Sequence, residues 1–313
     1  MLTLKLKPKE DRRLRAGHLW VFSNELETGP EFKTLTPGAL CRVEDSRGKP
    51  LGTGYVNPRT LLAVRLLTGD GDAKIDVDWF IRRIEHALRL REVLYPTPHY
   101  RLIHAESDGL PGLVVDRYGD VLSAQFTTAG MENLKPLVLE ALQTVLQPKG
   151  IYLRNDSGSR ELEGLPGYVE EIGEVPEQIE VIESGVRFLA PLKGGQKTGW
   201  FFDQHDNRDR LVRYAKDSRV LDVFSYIGGW ALRAHAFGAA EVSCVDSSQP
   251  ALDAVQANAQ LNGASVTAHK GDALDVMKAL RAEGKQYDVI VVDPPALIKK
   301  KKDYEAGLEH YAA

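Results

Sequence analysis

The chain has only two cysteines in 313 residues, Cys41 and Cys244. That is too few for a disulfide framework and fits a reducing cytoplasm. It has no apolar stretch long enough to span a bilayer. The start, MLTLKLKPKE, lacks the apolar core of a signal peptide. There is no excess of positive charge: the formal net charge is -4, so the whole chain is not a polybasic nucleic-acid binder. Any such contact must come from a local patch. His18, His104, His205 and His235 show no metal-ligand spacing, so no metal site is expected. There is no P-loop and no Ser-His-Asp order.

What is present is an ordinary globular composition, 43% hydrophobic and 27% charged. Residues 1–70 read as short strands between the turns Thr36-Pro37-Gly38, Ser46-Arg47-Gly48 and Asn57-Pro58. This predicts a small all-β module with Trp20 and Phe22 in its core. Its first residues are basic: Lys5, Lys7, Lys9, Arg12, Arg13 and Arg15 against Glu10 and Asp11. Residues 71–185 mix strands with two helices. One places Phe80, Ile84, Ala87, Leu88 and Val93 or Leu94 on one face; the other runs near Met131–Leu146. From 186 to 313 strands alternate with helices: RVLDVFS, EVSCVD, SVTAHKGD and YDVIVVD are the strands. Their near-continuous apolar character predicts a parallel, Rossmann-like α/β sheet covered on both faces, with VIVVD a buried central strand.

Ligands bind beyond the carboxyl ends of strands in such a sheet. Four acids fall there: Asp222, Asp246, Asp272 and Asp293. After Asp222 the turn Phe-Ser-Tyr-Ile-Gly-Gly opens a helix, with Gly228 and Gly229 letting the backbone approach a ligand. Asp246 follows at the spacing of a ribose-binding acid. A dinucleotide fingerprint would need glycines where Phe224 and Tyr226 stand. A ligand with a ribose and no pyrophosphate fits better, and S-adenosylmethionine is one. Pro294 and Pro295 stop the last strand abruptly and hold Asp293 at that edge. For Asp222 and Asp272 taken singly, helix capping is the bland alternative.

These segments carry a resemblance. GGQKTGWFFDQHDNR, LDVFSYIGGWALRAHAFGA, VDSSQPALDAVQANAQLNG, KGDALDVMKALRAEGKQYDVIVVDPP and KKKKDYEAGLEHY resemble the ribosomal RNA large-subunit cytosine-5 methyltransferases. So do HLWVFSNEL, RLIHAESDGLPGLVVDRYGD and RNDSGSRELEGLPG upstream. The resemblance implies an N-terminal PUA-like β barrel that binds RNA (1–70), a central α+β domain (71–185) and a Rossmann-like methyltransferase domain (186–313). It implies that Asp222, Phe224, Tyr226 and Gly228 hold the methionine end of S-adenosylmethionine. Asp246 takes the ribose, Asp272 and Ala273 bracket the adenine, and Asp293 faces the transfer site. Lys197, Thr198, Asp203 and Gln204 match the segment lying over the cofactor. The implied substrate is large-subunit ribosomal RNA.

Cytosine C5 chemistry needs a cysteine thiolate that adds to C6. Cys244 lies inside a strand and Cys41 inside the first β module; both read as structural, and Ala296 stands directly after the double proline. The resemblance implies a catalytic cysteine on a later strand, beyond Ala313. The expectation is therefore a chain that lacks the end of its catalytic domain. It binds the cofactor without methylating C5, and covers its last strand edge, for instance in a homodimer. Transfer to a base nitrogen and a non-catalytic RNA-binding protein are the competing readings. The run Lys299–Lys302 is read equally as an RNA phosphate contact and as a solvated loop.

Overall fold

In the computed structural model the described residues are 1–194, 199–296, 298, 304, 305, 307 and 308. They divide into two compact units, Met1–Pro176 and Glu177–Ala313. The expected contacts of Lys197, Thr198 and Lys299–Lys302 lie outside the described residues.

The first unit begins with β1 (Leu2–Lys5), α1 (Arg12–Arg15), β2 (Trp20–Phe22), β3 (Ala39–Glu44), β4 (Pro50–Val56) and β5 (Leu62–Thr68). The five strands form one sheet ordered β1-β3-β4-β5-β2. The expected barrel is not closed by a strand ladder. A single antiparallel bridge, Leu6 to Leu26, joins the two ends of the sheet. Lys7 N donates to Glu25 O (2.8 Å) and Glu27 N to Lys5 O (2.8 Å) beside it. Leu4, Leu6, Val21, Leu26, Cys41, Val43 and Val64 form its core. Trp20 is not in that core. With Val21 pointing inward, period-two alternation turns its neighbours outward, and Trp20 is 41% exposed.

The chain continues through α2 (Val77–Leu94), β6 (His99–His104), β7 (Leu113–Tyr118), β8 (Val121–Phe126), α3 (Ala129–Asn133), α4 (Lys135–Leu146), β9 (Gly150–Asn155), α5 (Ser159–Leu162) and β10 (Tyr168–Gly173). The second sheet is ordered β10-β9-β8-β7-β6. Asp76 caps α2 by accepting from Trp79 N. Phe80, Ile84 and Ala87 are buried as expected, whereas Val93 and Leu94, in the last turn, are exposed. The expected second helix is two, α3 and α4, divided at Leu134 just before Pro136. Pro136 lies in the first turn of α4, where its missing N–H costs nothing.

The second unit opens with the hairpin β11 (Gln178–Glu183) and β12 (Val186–Pro191). Then come α6 (His205–Arg210), α7 (Val212–Ala215), β13 (Arg219–Val223), α8 (Gly229–Ala236), β14 (Glu241–Asp246), α9 (Gln249–Leu261), β15 (Thr267–Lys270), α10 (Ala273–Ala282) and β16 (Val289–Val292). The sheet is wholly parallel and ordered β15-β14-β13-β16. The chain therefore runs outward from β13 to β15 and returns to the other side of β13. That reversal, between β13 and β16, is the switch point where open α/β sheets bind ligands. β16 is a sheet edge among the described residues, not the buried central strand expected. Ile290 and Val292 are 53% and 54% exposed.

Gly130 tests the packing of the first unit. A Cβ there would collide with the ring of Tyr55. That ring is buried, and its hydroxyl is pinned to Pro111 O (2.8 Å) and Thr128 Oγ1 (2.9 Å). Gly130→Ala should cost about 1–3 kcal/mol by overpacking, read as a lowered urea midpoint with unchanged slope. An unchanged midpoint would show that the ring moves aside freely.

Candidate functional site at the carboxyl edge of the parallel sheet

The strand order places the four acids in the sequence Asp272, Asp246, Asp222, Asp293 across one edge of the sheet. Asp222 is the fourth residue of β13 rather than at its tip, and it is wholly buried. Its Oδ2 accepts from Ala231 N (3.0 Å) in the first turn of α8. Its Oδ1 is buried with no hydrogen-bond partner among the described residues. Asp246, ending β14, accepts from Tyr226 N through Oδ2 (2.9 Å) and from Ser248 N through Oδ1 (2.8 Å). Asp293 follows β16 and accepts from Trp230 Nε1 (3.1 Å). Asp272 caps α10, accepting from Leu274 N (3.0 Å) and Asp275 N (3.4 Å), so for this residue the bland reading holds structurally. Ala273, beside it, is buried against the cluster that Phe224 packs on.

Burial pushes the Asp222 carboxyl up to about 7, and the charges of Asp293 and Asp246 push the same way. The bond from Ala231 N opposes this but does not cancel it. Arg208 acts favourably from further down the order of influence, yet both arms of its guanidinium are committed to Glu183. The edge thus gathers four carboxyl groups, with Lys270, at the end of β15 and in register with Asp246, a cationic residue beside them. It suits a cationic ligand and repels a pyrophosphate. An orphaned buried oxygen beside two further acids fits S-adenosylmethionine, which carries a sulfonium and an ammonium.

The loop from β13 to α8 has an unusual backbone. Phe224 (φ 68°), Tyr226 (φ 49°) and Gly228 (φ 87°) are all left-handed. Two of the three carry side chains, at about 1–3 kcal/mol each for non-glycine residues held there. Surrounding contacts hold them. Phe224 N and Ser225 N both donate to Val245 O (3.0 and 3.1 Å). The Tyr226 hydroxyl donates to Gly199 O (3.4 Å), and its ring meets Phe201 edge-on at 5.7 Å. Asn258 of α9 is wholly buried; its Nδ2 donates to Ile227 O (3.2 Å) and its Oδ1 accepts from Leu189 N (2.8 Å). Asn258 was missed from sequence. The available signal was a polar residue at a buried position of the α9 face, with Leu252, Val255 and Ala259.

Beneath the loop lies a second group not read from sequence. Glu183, at the end of β11, is buried and accepts from Arg208 Nε (2.6 Å) and Nη2 (2.7 Å) and from Trp200 Nε1 (2.9 Å). Arg233 of α8 donates to Glu183 Oε1 (3.3 Å) and to Asp209. Burial alone would raise the Glu183 carboxyl; the paired Arg208 bonds outweigh it and hold it below its ordinary range. Burial holds His205, in the same group, below its ordinary range. Trp200 and Arg208 both approach Gly229, the first residue of α8. The group ties the segment 199–204 to the start of that helix. Asp203 and Gln204 form a short 3₁₀ turn in this segment. Asp203 is exposed, and Gln204 Oε1 accepts from Asn207 Nδ2 (2.9 Å).

Both cysteines are buried, and burial pushes each thiol up to about 12. Cys244 pairs in register with Asp222, inside the sheet. Among the described residues no group of three or more His, Cys, Asp or Glu could hold a metal ion. No helix of the described residues is long and apolar enough to cross a membrane.

Comparisons with known proteins agree with this architecture. Residues 4–69 match the family model of a PUA-like domain, and residues 166–306 that of an S-adenosylmethionine-dependent methyltransferase. The ribosomal RNA large subunit methyltransferase I of Photobacterium profundum is 36% identical over 96% of this chain and 78% of its own length. That of Cronobacter sakazakii is 37% identical over 98% and 79%. A Streptococcus mutans structure assigned as an S-adenosylmethionine-dependent methyltransferase superposes with TM-score 0.80 at 22% identity, covering 99% of this chain and 82% of the other. A methyltransferase-assigned structure complexed with SAH reaches TM-score 0.81 at 22% identity, covering 96% and 78%. At this identity both show the fold alone.

The Asp222 environment makes a prediction about stability. A carboxyl raised from 3.8 to about 7 binds its proton more tightly folded than unfolded. Its contribution therefore weakens stability progressively as pH rises from about 4 to about 7 and stays unfavourable above. Asp222→Asn keeps an acceptor for Ala231 N and removes the buried charge. It should stabilise the ligand-free chain by up to about 4 kcal/mol above pH 7. The gain should shrink towards pH 4. Calorimetric melting at pH 5 and pH 8 reads this; a lower Tm at pH 8 would contradict it.

Proposed function

Given that the chain belongs to the ribosomal RNA large subunit methyltransferase I family and is an S-adenosylmethionine-dependent methyltransferase, we propose that the reaction it serves is methylation of cytosine C5 in large-subunit ribosomal RNA, and that these 313 residues bind the cofactor without supplying the catalytic cysteine. The observation that carries the cofactor site is the buried, half-satisfied carboxylate of Asp222 between Asp246 and Asp293 at the sheet's switch point. In this reading Asp222, Phe224, Tyr226 and Gly228 hold the methionine end, Asp246 accepts from the ribose diol, and Asp272 with Ala273 borders the adenine. Asp293, Pro294 and Pro295 border the transfer site, and Lys197, Thr198, Asp203 and Gln204 belong to the covering segment. The bound cofactor supplies an electrophilic methyl group. The chain's own residues supply negative potential and hold the loop. The reading assigns RNA binding to residues 1–70, a linking α+β region to 71–185 and the cofactor to 186–313.

C5 chemistry needs a thiolate at the base, and the two cysteines in these 313 residues do not provide one. Each is shut inside a sheet with its thiol near 12, so almost none is ionised at neutral pH. That same burial favours a second reading, transfer to a base nitrogen, which requires no thiolate. Exposed Ala296 gives such a base no ring to stack on.

Three outcomes test the proposal. Asp246→Ala should weaken S-adenosylmethionine binding about 10- to 100-fold by calorimetry, the loss of a charge-assisted acceptor worth roughly 1.5–3 kcal/mol. Unchanged affinity in a folded variant would remove Asp246 from the site. Cys244→Ala should leave any methyl transfer intact, with Cys244→Ser less stable because it buries a new hydroxyl. Incubating these 313 residues with labelled cofactor and unmodified large-subunit RNA should give bound cofactor and no 5-methylcytidine. Stoichiometric 5-methylcytidine would return Cys244 or Cys41 to candidacy, and a methyl group on a base nitrogen would establish the second reading.

A further inference from the structure

The first unit displays a large aromatic ring that its own fold anchors but covers only in part. Trp20 begins the edge strand β2, pairs only with Arg65 of β5, and is 41% exposed. Burying an indole is among the larger gains available to a small module, so leaving one outside calls for an explanation. The ring is also fixed. Its Nε1 donates to Glu106 Oε1 (2.9 Å), 86 residues away, and no other ring or guanidinium lies over it among the described residues. Two residues further along this edge, the guanidinium of Arg13 covers the ring of Phe22 at 5.1 Å. Ser23 N donates to Leu61 O (2.8 Å), which brings an 81%-exposed leucine to the same rim.

Six basic residues, Lys5, Lys7, Lys9, Arg12, Arg13 and Arg15, fall in the first fifteen of the chain, against Glu10 and Asp11 there. Arg13 Nη2 donates to Trp20 O (3.4 Å), so α1 meets the backbone of β2 at Trp20, and Lys7 Nζ donates to Asn24 O (2.8 Å), just past that strand. Arg13 and Arg15 are partly neutralised by Glu25, Asp11 and Asp45. Lys5, Lys9 and Arg12 are exposed and make no ion pair among the described residues. An anchored, exposed indole beside uncommitted cations is the combination that holds single-stranded nucleic acid: the ring takes a base face, the cations take phosphates. A duplex hides its base faces and cannot use the ring.

We propose that Trp20 is a stacking platform for one unpaired nucleobase of RNA, with Arg12, exposed on α1 beside Arg13, contacting a flanking phosphate. The inference rests on the reading above that the substrate is RNA. It places on this edge a single-stranded segment of that RNA, such as a loop or bulge.

The test uses the full 313-residue chain and a labelled single-stranded RNA of about a dozen nucleotides, alone and annealed to its complement, read by fluorescence anisotropy. Stacking on an aromatic ring is worth roughly 1–3 kcal/mol per base, so Trp20→Ala should weaken single-strand binding about 5- to 150-fold. Trp20→Phe should recover most of it. Duplex binding should change less than about twofold. Arg12→Ala should weaken both RNAs and lower the salt slope by about one. Glu106→Gln keeps an acceptor for the indole and removes a nearby negative charge, so it should bind at least as tightly as the parent. Melting of Trp20→Ala should match the parent, which separates loss of a contact from loss of the fold. Single-strand affinity unchanged in a folded Trp20→Ala chain would overturn the platform alone, and so would equal loss on both RNAs. A parent chain that bound neither RNA would defeat the RNA reading itself, and the platform with it.

Discussion

A carboxylate taken wholly out of water with only one of its oxygens satisfied governs the second unit. Asp222 sits inside β13, the strand from which the chain runs outward one way and returns on the other. Such a group is tolerable when something compensates it, and the neighbours on either side, Asp246 and Asp293, are acids as well. The fold therefore stores an unfavourable electrostatic arrangement at its switch point. Such an arrangement costs local stability, and a cation bound there would relieve it, a trade proteins make at binding sites.

The loop that follows Asp222 shows the same economy in backbone terms. Three left-handed residues in five would be unremarkable as glycines. Here two are aromatic, and each ring is used: Phe224 packs on the cluster around Leu221, Val245 and Leu280, and Tyr226 on Phe201. The strain is held by bonds from β14, α9 and the segment before α6. The Glu183 group extends that support downward. It is buried charge with charge-assisted bonds on both carboxylate oxygens, so removing one partner would leave an uncompensated ion beneath the site.

Much of this site was legible in the sequence because it depends on order along the chain. Strand–helix alternation fixes which ends of the strands share an edge. Asp222, Asp246 and Asp293 each belong to or follow an apolar run and Asp272 follows the more polar β15, so their placement together comes from connectivity. Substituted glycines at 224 and 226 correctly argued against a pyrophosphate, but the positive φ that those residues adopt was not readable, because propensity argues against it. Glu183 was invisible for a different reason. Its partners lie 17, 25 and 50 residues away, and only tertiary pairing brings them together.

The two misplaced apolar groups, Trp20 and the β16 face, share one cause. Hydrophobicity read along a chain says that a residue gains by burial; it does not say which face of a short strand is the inner one. In β2 the three residues Trp20, Val21 and Phe22 cannot all point inward, and Val21 takes the core position beside Leu26 and Val64. In β16 Val289 and Val291 face one way and Ile290 and Val292 the other, so a run apolar on every residue leaves one side dependent on a covering layer. The two cases then diverge in chemistry. The β16 face is aliphatic and carries no polar handle. The indole at Trp20 has a polar handle, held by Glu106, and α1 with its arginines meets the same strand.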